Sequence, residues 1–202
     1  MCQEDVTDTE TQEAHETFLQ VVGALSELLD RPSRWTGALE LTESLFSSGV
    51  AHLDGRIEIT RAVWRQPQYR WRTVIHEALH LCSPSYTSHE YSLNRGWEEG
   101  AVEQMQRLLR QEVFRRIGVE ITEDAFAARD AEHEYNDYIW ALESLRRPLR
   151  LSSFDFYARL LATPLPSRLI IARDAGGLLP ELERITFRRL LLLAQAKLGR
   201  QR

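Results

Sequence analysis

Apolar residues of the first thirty positions recur at three- and four-residue spacing: Phe18, Val21, Val22, Leu25, Leu28 and Leu29. That period predicts an amphipathic helix over Thr9 to Asp30, stopped by Arg31-Pro32. The pattern then alternates, in Ala38-Leu39-Glu40-Leu41-Thr42 and again in Arg56-Ile57-Glu58-Ile59-Thr60 after the turn signal Asp54-Gly55. With Val50-Ala51-His52-Leu53 pairing as a hairpin, Trp35 to Thr60 is expected to form a small sheet. From Arg70 to Cys82 the helical period returns. Val74, Ala78 and Leu81 make one row, Ile75, Leu79 and Cys82 the next, and Ser83-Pro84 closes the helix.

The polar stretch Tyr86 to Arg95 reads as a loop. Helices are then expected over Trp97 to Ile117, with Gly118 as C-cap, and over Ala125 to Arg146, Ser153 to Ala162 and Leu182 to Leu198. Pro148, Pro164, Pro166 and Gly176-Gly177 separate them. Leu190 to Leu193, with Phe187 and Ile185, mark a helix that is either buried nearly all round or faces a partner; the buried reading is the expected one. No repeat and no long linker divides the chain. The expected fold is one α+β domain over 1–202: an N-terminal helix (1–34), a small mixed or antiparallel sheet with two helices (35–118), and a helical C-terminal part (119–202).

Composition narrows the class. The 202 residues carry 25 Lys plus Arg against 30 Asp plus Glu, a net charge of −5, and 43% are apolar, so a folded core is affordable and wholesale disorder is not expected. Basic side chains are too thinly spread for a nucleic-acid footprint. No apolar run approaches the roughly 20 residues of a membrane span, so no membrane association is expected. The start Met1-Cys2-Gln3-Glu4-Asp5 lacks the basic and apolar segments of a secretory signal, and Cys2 and Cys82 make no disulfide framework. A cytoplasmic location is the expectation, with Cys82 as buried packing.

The candidate chemistry sits at His76-Glu77-Ala78-Leu79-His80. Histidines at i and i+4 lie on one helix face, one turn apart, where both imidazoles can reach one ion. Glu77, one position past the first, can meet a water on that ion without becoming a ligand. Catalytic zinc usually keeps three protein ligands. Downstream, Gly96-Trp97-Glu98-Glu99-Gly100-Ala101 opens the next helix, and eighteen residues separate His80 from Glu99. A connection of that length lets a second helix return and aim a carboxylate at the two imidazoles. Glu98 is the rival, about 100° away around the helix.

Here the chain resembles the gluzincin group of zinc metallopeptidases, whose pattern is HExxH, a spacer of this size, and a Glu often followed by Gly and a small residue. The spacing and Trp97-Glu98-Glu99-Gly100-Ala101 are similar to the aminopeptidase branch and its minimal relatives, over about Ile57 to Leu108. The resemblance implies a zincin-like fold, Zn²⁺ held by His76, His80 and Glu99, and Glu77 as general base in hydrolysis of a peptide or protein substrate. It further implies a carboxylate behind a ligating histidine, for which Glu103 is placed, with a solvated helix-face charge as the other reading. An oxyanion-binding Tyr or His is also implied. Tyr157 is the choice, with Tyr135, Tyr138 and His133 as rivals. The strand Arg56 to Thr60 resembles the edge strand on which such peptidases lay substrate backbone. The upstream Gly-x-Met-Glu-Asn signature of exopeptidases is missing, which leaves endopeptidase action or a narrow substrate. The alternatives are a non-catalytic or regulatory metal-binding module that keeps the fold, and a helical domain whose histidines bind nothing.

Overall fold

The helical period of the N-terminal stretch builds α1 (Glu4–Leu29), five residues longer at its start than the apolar spacing predicts. The computed structural model describes residues 4–43 and 47–199, with side chains from Thr9 onward; Cys2 lies outside the described residues. The order continues with β1 (Leu39–Thr42), β2 (Gly49–Ala51), β3 (Ile57–Thr60), α2 (Arg61–Trp64), α3 (Pro67–Cys82) and α4 (Ser88–Ile117). It ends with α5 (Ala127–Ala131), α6 (Asn136–Leu149), α7 (Ser153–Ala162), α8 (Arg168–Gly177) and α9 (Glu181–Leu198). The fold is α+β, rich in helix, with one small mixed sheet among the described residues. Two compact units form: one takes the chain up to Cys82 plus Leu109–Phe126, the other Ser83–Leu108 and the chain from Ala127 onward.

In the first unit the sheet order is β1-β3-β2. β1 runs parallel to β3, Leu39 opposite Ile57, and β2 antiparallel to it, Gly49 opposite Ile59. The hairpin reading therefore holds, and Asp54-Gly55 makes its turn with Gly55 at φ +87°, a value that favours glycine. β3, however, is paired on both sides. Arg56 to Thr60 cannot be an edge strand, and the edges are β1 and β2. Alternation puts Ile57 and Ile59 inside with Phe18, Leu25, Trp64, Val74 and Ala78. Trp71 meets Phe114 edge-on at 5.5 Å.

The last carbonyls of α3 are not left to water. Arg34 donates its backbone N–H to Leu81 O (2.9 Å) and Nη2 to His80 O (3.2 Å), and Arg31 reaches Cys82 O (3.4 Å). Two cations thus cap the negative end of the helix that carries both histidines.

In the second unit, Tyr86 to Arg95 is largely helix rather than loop. The signal was a capping box: Thr87 Oγ1 accepts from the Glu90 N–H (3.1 Å) while Glu90 Oε2 accepts from the Thr87 N–H (2.7 Å). The turn so nucleated is distinct from the later run, because Asn94 leaves helical geometry (φ −129°, ψ 20°). Ala125 to Arg146 is broken in the other direction. Asn136 Nδ2 donates to the carbonyls of Asp130 and Ala131 (both 2.9 Å), ending α5 before α6 starts. Pro148 lies inside the last turn of α6, and Arg150 in the left-handed region (φ 56°) stops it. Gly176-Gly177 closes α8, just ahead of the break to α9. Gly176 lies against Phe187 so closely that a Cβ would fall 2.1 Å from its ring.

The buried reading of Leu190 to Leu193 fails for half of it. Phe187 and Leu191 face inward, but Leu192 and Leu193 are 68% and 71% exposed.

Candidate metal centre

On α3, one turn separates His76 from His80, and their rings meet edge-on with centroids 4.9 Å apart. The two Nε2 atoms approach to 3.2 Å. Two ligand nitrogens on a tetrahedral zinc, each at about 2.05 Å, are separated by about 3.3 Å. The two nitrogens, hydrogen-bonded to each other, thus lie at about the spacing that a shared ion demands. His80 is buried and His76 half-buried.

Glu77 points to the sheet. Its Oε2 accepts the Ala51 N–H at 2.8 Å. The ladder explains why that amide is available: His52 N–H bonds Arg56 O and Ser48 O accepts from Thr60 N–H, so the intervening Gly49 and Ala51 turn their backbone groups away from β3. Gly49 permits the approach. A Cβ there would fall 2.6 Å from Thr73 Cγ2 and 3.0 Å from Glu77 Cγ.

On α4, adjacent glutamates have opposite fates. Glu98 is wholly buried against Arg168 (2.6 Å), whose guanidinium also donates to Trp97 O (2.9 Å), Thr163 O (3.3 Å) and Ser83 Oγ (3.4 Å). Glu98 is spent on structure. Glu99, also buried, receives the Tyr91 hydroxyl on Oε1. Burial first, and then the Glu99 charge, push the Tyr91 phenol far up, so it stays protonated and donates. Tyr135 is raised in the same way by burial and by Glu99, and it takes a hydrogen bond from Arg95 Nη2 (3.3 Å).

One ligand atom from each of His76, His80 and Glu99 lies within 4.8 Å of the others. This group could hold a metal ion. It is the group the sequence spacing selected, and the rival Glu98 is not in it.

The other expected residues fall less simply. Glu103 is buried, ion-paired to Arg107 (2.9 Å) with His133 Nδ1 at 3.8 Å, so it is no solvated helix-face charge. Tyr157 lies on α7. Its ring is completely buried in the second unit, and its hydroxyl donates to Glu143 (3.0 Å). Tyr91 and Tyr135 lie near Glu99. Tyr91 directly follows Glu90 of the capping box, in the first turn of α4, within the polar stretch that reads as a loop. Cys82 is buried, as expected, and burial raises its thiol to about 11.

No protein-family model, no curated protein and no solved structure matches the chain. No helix among the described residues is long and apolar enough to cross a membrane.

Proposed function

We propose that this protein is a zinc-dependent peptidase. The observation that carries the reading is the convergence of His76, His80 and Glu99 with a carboxylate, Glu77, one position past the first histidine. Two imidazoles and one carboxylate are a donor set of catalytic zinc, and the 3.2 Å spacing of the imidazole nitrogens suits it. When bound, such a metal supplies Lewis acidity, making a water more acidic and a carbonyl more electrophilic.

The rest of the chemistry falls to the chain's own residues. Glu77 accepts the proton of the attacking water at its carboxylate and returns it to the leaving amine. The Ala51 N–H orients that carboxylate from the sheet side. Tyr91 donates to Oε1 of Glu99 and so positions the carboxylate that would hold the metal.

The test is cleavage of a quenched-fluorescence peptide library by the zinc-loaded protein beside Glu77→Gln. The reading expects turnover in the wild type only. Turnover that survives in Glu77→Gln removes Glu77 from the reaction. Stoichiometric zinc without cleavage of any peptide makes the protein a metal-binding module instead.

A further inference from the structure

Far from Glu77 in sequence, the second unit holds a groove that the hydrolytic reading does not use. α8 and α9 are joined by only three residues, Leu178-Leu179-Pro180, so α9 folds back beside α8. Between them opens a groove of about 770 Å³, within the range of small-molecule sites. Its floor is Phe187 and Leu191, both buried. Leu169, Ile170 and Leu192 form its outer apolar wall. Gly176 and Gly177 leave the α8 side bare of side chains near the connection.

The groove is polarised along its length. Toward the connection it is bordered by Arg184 and Arg188, one turn apart on α9; beyond them it is bordered by Leu169, Ile170, Leu191 and Leu192, with the polar Gln195 at its far limit and Asp174 on the α8 side. Arg173 also lines it, but Asp174 takes its guanidinium at 3.4 Å. Arg184 and Arg188 have no hydrogen-bond or ion-pair partner for their side chains among the described residues. Two uncompensated cations beside a water-exposed apolar slot favour an anion that brings its own apolar body. From Arg184 to Gln195 the groove follows eleven residues of helix, about 16 Å, which suits an extended medium-length alkyl chain.

A second copy of this chain fits less well. The exposed apolar stripe of α9, Leu182, Ile185 and Leu192, has Arg189 at its middle. An antiparallel pairing of two such helices would set Arg189 against its own copy.

We propose that the α8–α9 groove binds a free single-chain amphiphile with an anionic head, of the fatty carboxylate class. The head lies between Arg184 and Arg188, and the tail lies on Phe187, Leu191, Ile170 and Leu192. Charge-assisted hydrogen bonds to two guanidiniums set the preference for an anion, and the apolar floor sets the preference for a tail.

The test is calorimetric titration of the full chain with dodecanoate below its micelle concentration. Dodecyltrimethylammonium carries the same tail with the opposite head, and acetate carries the head without the tail. One dodecanoate per chain is expected, with affinity at least tenfold above either control. Arg184→Glu/Arg188→Glu and Ile170→Glu should each weaken binding at least tenfold, with unchanged circular dichroism and melting temperature confirming that the exposed substitutions leave the fold intact. Equal affinity for the cationic amphiphile, no dodecanoate binding, or binding undiminished in both variants overturns the proposal. So does association with vesicles of phosphatidylglycerol when monomeric dodecanoate is not bound, or a dimer in sedimentation that the Leu192→Glu variant abolishes and dodecanoate leaves intact.

Discussion

Arg168 and Glu98 meet at 2.6 Å with both side chains wholly out of water, while Glu99, the next residue, is turned toward a tyrosine hydroxyl and two imidazoles. One residue step on a helix is about 100°, enough to give one carboxylate to the core and its neighbour to a site. The pair makes a sharp stability prediction. Arg168→Met leaves the Glu98 charge buried without compensation and should cost about 3–5 kcal/mol in urea unfolding. The double replacement Glu98→Met/Arg168→Met should recover much of that. A single variant as stable as wild type would refute the pairing.

The bond from Ala51 to Glu77 is testable without any activity. Glu77→Gln keeps an acceptor oxygen for the amide and should unfold within about 1 kcal/mol of wild type. Glu77→Ala leaves the buried-side amide unpaired and should cost about 1–3 kcal/mol. Equal stabilities of the two variants would show that the carboxylate does not hold the strand.

Two helix-interior glycines should respond to alanine with opposite signs. Nothing lies within 4 Å of a Cβ added at Gly23, so Gly23→Ala should stabilise by up to about 1 kcal/mol through helix propensity. At Gly96 the same Cβ would fall 2.7 Å from Leu198 Cα and 2.8 Å from its carbonyl oxygen. Backbone yields less readily than a side chain, so Gly96→Ala should lose about 1–3 kcal/mol despite the same propensity gain. Thermal melts of the two variants decide it.

Glu10 gives a pH prediction. Hydrogen bonds from Arg65 and Arg61, against a smaller opposing effect of burial, lower its carboxyl from 4.5 to about 2. A carboxylate whose folded pKa is depressed contributes stability that is complete above its unfolded value and lost as pH falls through the folded one. Between pH 5 and 2, wild type should therefore lose about 1–2 kcal/mol more than Glu10→Gln, allowing for solvent screening at this half-exposed network. Parallel pH profiles of the two proteins would contradict it.

Much of this was legible in the residue pattern, for physical reasons. Period 3.6 and period 2 are strong where a face is buried, which is why α3, α7 and the β2–β3 hairpin fall close to the expected positions. The i, i+4 spacing needs only helix geometry, so the rings of His76 and His80 meet as expected. What stayed hidden depends on partners distant in the chain. The central position of β3 is set by β1 crossing to its other side, which alternation cannot reveal. The hydrogen bond from Tyr157 to Glu143 joins two different helices, and spacing along the chain does not reveal it. Exposed Leu192 and Leu193 look like core in composition, and only the packing of α9 through Phe187 and Leu191 shows that they are turned outward.

The central claim is that His76, His80 and Glu99 hold one metal ion. The most direct measurement is metal content of the purified, tag-free protein after zinc loading and dialysis, wild type beside a Glu99→Ala variant with an unchanged circular dichroism spectrum. The account predicts about one zinc per chain in the wild type and a marked loss in the variant. A wild type without zinc, or a variant that retains it in full, would contradict the account.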